Sequence, residues 1–292
     1  MTTSNSSFLD TLSISQEAIS GPYFGILYGS AGVGKTWLCK HAEKPFFIAT
    51  EKGCEKVTGI GKFTIKDKDG NESVYLPKNT DEFFEMLLKF TRKGHDYKTI
   101  VVDSGLFVDK LFVNDIIAAD PIETTKNGPI AITAISDYTF GKGFEKVLAI
   151  WENRFFAVIT ALHKRGINVI LIAHSKEKTT RNLDGDEYKK NAIDLLEFGR
   201  ISIPNLLSAK ADFVLFMRSE VRTNKKFNSF DKKRARTVAD NDIPPEIMVY
   251  TRASNAFDAK IRTTDINNVK DSYVIDITDD STSQQLFHDL SL

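Results

Sequence analysis

The sequence is poor in the features that would fix its class at a glance. It holds two cysteines, Cys39 and Cys54, in 292 residues. Two make no disulfide framework and show no zinc-ligand spacing, so both are expected to be ordinary buried thiols. Neither sign of charge is in excess, with 39 Lys and Arg against 39 Asp and Glu, so any nucleic-acid role must come from local patches. No apolar run approaches the roughly 20 residues of a membrane span, and the N-terminus lacks the basic and apolar blocks of a signal peptide. A cytoplasmic protein with no membrane partner is expected. No internal repeat is evident. The 41% hydrophobic and 27% charged fractions argue against disorder or fibre, and the length suits one large α/β domain with insertions.

What is present is concentrated. Gly29-Ser30-Ala31-Gly32-Val33-Gly34-Lys35-Thr36 is a complete G-x-x-x-x-G-K-[ST] loop. The apolar run Tyr23 to Tyr28 leads in as a strand, and Trp37 to Glu43 leads out as a helix. Its glycines permit backbone torsions that turn successive N–H groups inward around phosphate. Lys35 would meet the β/γ-phosphates, and the Thr36 hydroxyl is placed to ligate Mg2+. This predicts a nucleoside triphosphate site built from residues 29–36, with Trp37 adjoining it.

Further strands end in chemistry. Pro45 to Thr50 reads as a buried strand followed by Glu51, which is either a solvated loop acid or the residue that orients or deprotonates the attacking water. Tyr97 to Ser104 is an apolar run ending in Asp103, the Walker B pattern whose carboxylate holds the Mg2+ water shell beside Thr36. Ile167 to Ala173 ends at His174, a structural histidine or a hydrogen-bond donor to the γ-phosphate. Ala211 to Phe216 reads as another strand.

Between these lie segments of other kinds. Residues 1–20 read as a flexible arm, or as one whose Phe8 and Leu9 dock on a neighbouring subunit. Gly61 to Pro77 is a surface insertion with a tight turn at Asp67 to Asn71. Thr80 caps a helix with Phe83, Phe84, Met86, Leu87 and Phe90 on its apolar face. Asp120 to Ser136 reads as a loop and Gly143 to Lys164 as a long amphipathic helix. Lys176 to Lys190 reads as a mobile charged loop.

Arg222, Lys225, Lys226, Lys232, Lys233, Arg234 and Arg236 are relieved only by Asp231, with Phe227 and Phe230 interleaved. That is a solvated face or a loop that binds single-stranded nucleic acid. Ile247 to Arg252 and Ala259 to Arg262 look like paired strands joined by a turn at Ser254-Asn255, with Lys260 and Arg262 on one face. The chain divides into the arm (1–20), an ATPase domain (21–265), and a C-terminal strand with an acidic tail (266–292).

With these motifs placed, the chain resembles the RecA-like ATPases, and most closely small phage proteins of that type associated with single-strand annealing and recombination. The resemblance implies ATP and Mg2+ as cofactors, with Glu51 as catalytic acid and His174 at the γ-phosphate sensor position, where the family commonly has Gln. ATPases of the AAA+ type usually carry their water-activating Glu directly after the Walker B Asp, and Ser104 stands there instead. Lys260-Ile261-Arg262 is similar to a Lys-x-Arg signature that reaches a neighbour's nucleotide. Loops at residues 120–136 and 176–190 would meet DNA. The resemblance also implies self-association into a ring or filament, a single-strand binding protein as a partner, and the bacterial host cytoplasm as location.

The expected fold is a RecA-like α/β core, a mostly parallel, right-crossing sheet flanked by helices with a C-terminal antiparallel extension. The expected function is a DNA-dependent ATPase acting on single strands. The alternatives are an ATP-switched module that loads or remodels a protein partner, and a small-molecule phosphotransferase.

Overall fold

The computed structural model describes residues 21–182, 184–220, 223–228, 231–239, 246–262 and 269–290. The arm, Arg222 and Phe230 lie outside them. The strands that build the site are β1 (Phe24–Gly29), β2 (Pro45–Ala49), β3 (Thr99–Asp103), β4 (Asn168–Arg181), β5 (Glu187–Ile193), β6 (Phe213–Glu220), β7 (Glu246–Tyr250), β8 (Lys260–Ile261) and β9 (Ser272–Ile275). The helices are α1 (Lys35–Cys39), α2 (Thr80–Leu88), α3 (Gly105–Ala119), α4 (Lys142–Ala149), α5 (Phe156–His163), α6 (Ile203–Lys210) and α7 (Asp280–Asp289).

Sheet order is β9-β7-β6-β1-β4-β3-β2, with the short strand Gly61–Lys62 at the far edge. The run from β6 to Gly61–Lys62 is parallel. Strands β7, β8 and β9 extend it antiparallel on the C-terminal side.

The parallel strands are apolar over their central stretches, where both faces are covered, and successive side chains alternate between the two layers. Ile26, Tyr28, Ile48, Val102 and Leu171 share one core with residues of α2, α3, the long α4–α5 helix and α6. Leu27, Phe47, Val101, Ile170 and Ile172 share the other with residues of α1 and α7. Each such fully buried side chain contributes about 1.5–3 kcal/mol.

Expected strands and helices recur with altered bounds. The helix after the P-loop is only five residues, Lys35–Cys39, with single turns carrying the chain to Ala42. Asn79, not Thr80, caps α2: its side chain accepts from the Glu82 N–H at 2.8 Å. The predicted 143–164 helix is α4, a π-helical segment Ile150–Phe155, and α5 in succession, with Trp151 and Phe155 fully buried. The turn at Asp67 to Asn71 closes the hairpin Thr64–Lys66 with Glu72–Val74, as expected. Both cysteines are buried and free.

Three expectations fail, and the acidic tail proves to carry a helix. Residues 176–190 are no loose loop: β4 continues past His174 to Arg181 and pairs antiparallel with β5. Residues 120–136 contain a hairpin, Ile122–Thr125 with Gly128–Ala131, turned at Asn127-Gly128 where Gly128 takes φ 111°. Strands β7 and β8 do not pair with each other; both lie antiparallel along β6, one after the other. The acidic tail folds: α7 buries Leu286, Phe287 and Leu290, and Asp280 reaches His41 at 3.2 Å and Lys40 at 3.5 Å beside α1.

Candidate functional site

Sheet order brings the candidate residues together. β4 lies between β1 and β3, so register pairs Gly29 with His174, Asp103 with Ile172, and Ala49 with Asp103. The P-loop, His174, Asp103 and Glu51 therefore leave the same C-terminal edge of the sheet, where open α/β sheets bind ligands. Gly29 is required there, since a Cβ would lie 2.0 Å from the Met217 carbonyl oxygen of β6. Gly34 takes φ 101° to enter α1. Val33 is buried and anchors the loop in the core, whereas Ser30 and Ala31 are exposed.

Lys35 is 6% exposed, and its Nζ donates to the carbonyls of Gly29 at 2.9 Å and Ser30 at 2.7 Å. Burial lowers its pKa, opposed by the charges of Asp103 and Glu51. The Thr36 hydroxyl donates to Asp103 Oδ2 at 2.7 Å. Burial raises the Asp103 pKa, against the pull of the Thr36 hydrogen bond. A hydroxyl and a carboxylate this close fit Mg2+, which keeps several waters and binds through few protein oxygens plus substrate phosphates. Consistent with that, no group of three or more His, Cys, Asp or Glu forms a metal cage among the described residues.

Glu51 is held by two side chains at one oxygen, and the strand end that carries it is tied to the end of β3. Thr50 N–H donates to the Asp103 carbonyl at 2.7 Å, and the Thr50 hydroxyl and Ser104 backbone exchange two bonds of 2.8 Å. Ser104 Oγ donates to Glu51 Oε1, and His174 Nε2 lies 3.1 Å from the same oxygen. Facing a carboxylate, that ring nitrogen carries the proton. Gly32, Lys35, Thr36, Glu51, Asp103 and His174 line one cavity of about 370 Å3, with Trp37 at its rim. Such a site fits a triphosphate: bound Mg2+ would neutralise phosphate charge, while Glu51 is oriented to take a proton from water.

No role in holding Glu51 is legible in the sequence for Ser104 or Thr50. The available signal was a hydroxyl side chain next to each strand-end acid. Lys260 and Arg262 are not brought to this cavity. β8 pairs with Phe213 and Val214 at the start of β6, the end opposite to Met217 and the P-loop. Arg262 is exposed there and donates to the Ala209 carbonyl at 2.7 Å.

An AAA domain family, AAA_24, matches residues 22–263. The chain belongs to this AAA domain family. No curated protein matches it. The family makes the chain an AAA-type, nucleotide-binding P-loop ATPase domain. In this AAA domain the position after Asp103 is Ser104, and an acid, Glu51, reaches the cavity from the tip of β2. Among the described residues, no helix is long and apolar enough to cross a membrane.

Proposed function

We propose that this AAA domain is a RecA-like, DNA-dependent ATPase that uses ATP and Mg2+, binds single-stranded DNA and promotes annealing or strand exchange in phage recombination or replication. One observation carries the reading: His174, hydrogen-bonded to Glu51, lies on a strand that runs unbroken into the β4–β5 hairpin beyond the nucleotide cavity. A ligand that moves this hairpin acts on the strand bearing His174, which couples surface binding to hydrolysis. A second hairpin, Thr223–Asn228 with Asp231–Ala239, follows β6 at the same edge of the sheet. Its sequence carries Lys225, Lys226, Lys232, Lys233, Arg234 and Arg236 against Asp231 alone, and supplies the phosphate contacts. Lys260 and Arg262 act on a neighbour's nucleotide in a ring or filament, and a single-strand binding protein is a fitting partner.

A second reading, an ATP-switched module that loads or remodels a protein, has one observation in its favour. Each cation of residues 176–190 has a carboxylate partner: Lys176 with Asp194 and Glu197, Lys178 with Glu197, Arg181 with Glu187, Lys189 with Glu177, and Lys190 with Asp258. A hairpin neutralised in this way suits a protein surface better than a phosphate backbone. ATPase rates with and without single-stranded DNA decide between them. Stimulation by DNA supports the first reading; stimulation only by a protein partner supports the second.

A further inference from the structure

The edge of the sheet opposite to the P-loop carries a second cavity, of about 410 Å3. Separate segments deliver cations to it. Lys44 and Lys98 immediately precede β2 and β3 and are joined by the Lys98 N–H to Lys44 carbonyl bond of 3.1 Å. Arg92 and Lys93 follow α2, and Arg165 turns the chain from α5 towards β4. Lys44 has a partner in the exposed Asp96 at 3.3 Å. Arg92, Lys93, Lys98 and Arg165 form no ion pair with any described residue. The wall between them is aromatic: the His95 and Tyr97 rings stack with centroids 6.0 Å apart. His95 Nε2 donates to the Phe90 carbonyl at 2.9 Å, while Nδ1 is buried without a partner.

Five cations line this concavity against the single carboxylate of Asp96, so like charges repel each other there, and a chain with equal numbers of acids and bases had further carboxylates available to neutralise them. An anionic ligand offsets that cost. Two guanidinium forks, Arg92 and Arg165, match the paired oxygens of a phosphate better than a lysine cluster would. Cations brought from separate segments suit a ligand whose charge repeats along its length, and the flat aromatic wall suits a base or sugar. We propose that this cavity is a phosphate-binding site, separate from the P-loop, that takes the phosphodiester backbone of a nucleic acid. The choice of nucleic acid over a free phosphoanion rests on the DNA-binding reading above.

The test uses the full chain, with the P-loop saturated by a non-hydrolysable ATP analogue and Mg2+. Binding of a labelled single-stranded oligonucleotide is followed by anisotropy across a salt series, for the parent, Arg92→Gln/Arg165→Gln and Lys93→Gln/Lys98→Gln. These side chains line an open cavity remote from the nucleotide, so the variants should keep the parental melting temperature and DNA-free ATPase rate. Each phosphate contact to a single strand contributes roughly 0.7 to the slope of log affinity against log salt, so each double variant should lose about 1.4.

An unchanged slope in both doubles overturns the proposal. If the doubles lose calorimetric binding of pyrophosphate but keep the oligonucleotide slope, the ligand is a free phosphoanion and the backbone assignment is wrong. If they lose only binding of a polyglutamate peptide, the site serves an acidic protein instead. Should Lys232→Gln/Lys233→Gln/Arg234→Gln flatten the slope while the doubles do not, only the cavity proposal falls. Failure of the parent to bind any oligonucleotide removes the DNA-binding reading as well.

Discussion

At the residue scale the proposed function assigns some groups to holding nucleotide and others to acting on water. Lys35 is positioned for ground-state phosphate, so Lys35→Ala should weaken triphosphate binding directly. Glu51→Gln should leave binding largely intact and abolish turnover, measured as single-turnover hydrolysis beside nucleotide affinity. Parental hydrolysis by Glu51→Gln protein would remove Glu51 from catalysis. Ser104 touches Glu51 rather than the reacting atoms, so it acts by positioning. A hydrogen bond to a charged group is worth about 1.5–3 kcal/mol. Ser104→Ala should therefore lower kcat roughly ten- to a hundredfold with KM little changed, and Ser104→Thr should restore part of it.

Asp109 offers a test by pH. It is 4% exposed, accepts from Trp151 Nε1 at 2.6 Å and the Leu196 N–H at 2.7 Å, and burial pushes its pKa up to about 6 from 3.8. The folded state thus holds this proton more tightly than the unfolded one. The group's contribution is most favourable below pH 4 and declines as pH rises towards 6, by roughly 3 kcal/mol in all. The melting-temperature advantage of the parent over Asp109→Asn should accordingly shrink between pH 4 and pH 7. An advantage that grows over this range would contradict the burial argument.

At the element scale, what was legible in the sequence followed from burial. β1 to β4 and β6 are apolar because both faces are covered, and their polar ends mark where the sheet stops and the site begins. Thus the strand-tip positions of Gly29, Glu51, Asp103 and His174 are legible in the sequence. The hairpins are not legible because exposed strands lack that signal. In β4 the buried pattern stops after Ala173, while the pairing with β5 runs on through polar residues. At 122–131 Pro121 and Asn127-Gly128-Pro129 read together as loop signals, although Asn127-Gly128 is also a hairpin turn. β7 and β8 were paired wrongly because short strands around a turn signal resemble a hairpin, and nothing local says that both follow β6. The hydrogen bonds of Ser104 and Thr50 are long-range contacts between neighbouring strand ends, which no local pattern encodes.

The basic hairpin after β6 carries its own expectation. Neutralising Lys232, Lys233 and Arg234 together should weaken single-strand affinity and flatten its salt dependence, because each phosphate contact releases counterion. Unchanged affinity and slope would return the segment to a solvated face.

At the scale of the whole molecule, the cavity is furnished by the P-loop, Asp103 and Glu51, and among the described residues its lining cations are Lys35 and Lys52, the latter beside Glu51. The cations that the family resemblance assigns to a neighbour's nucleotide, Lys260 and Arg262, lie at the other end of β6 in the same chain. Burial and the neighbouring Arg262 charge both lower the Lys260 pKa, so the two cations already repel each other at one spot. An anion brought by another copy of the chain would relieve this. Cations at developing phosphoryl charge contribute about a thousandfold or more in rate, so the isolated chain should hydrolyse ATP poorly and gain activity with protein concentration. Mixing Glu51→Gln protein with Arg262→Ala protein, each nearly inactive alone, forms some interfaces that pair an intact Glu51 with an intact Arg262. Part of the parental rate should return on mixing. If light scattering shows that the two variants co-assemble and no activity returns, Arg262 does not complete a neighbour's site, and the rate must come from groups within a single chain.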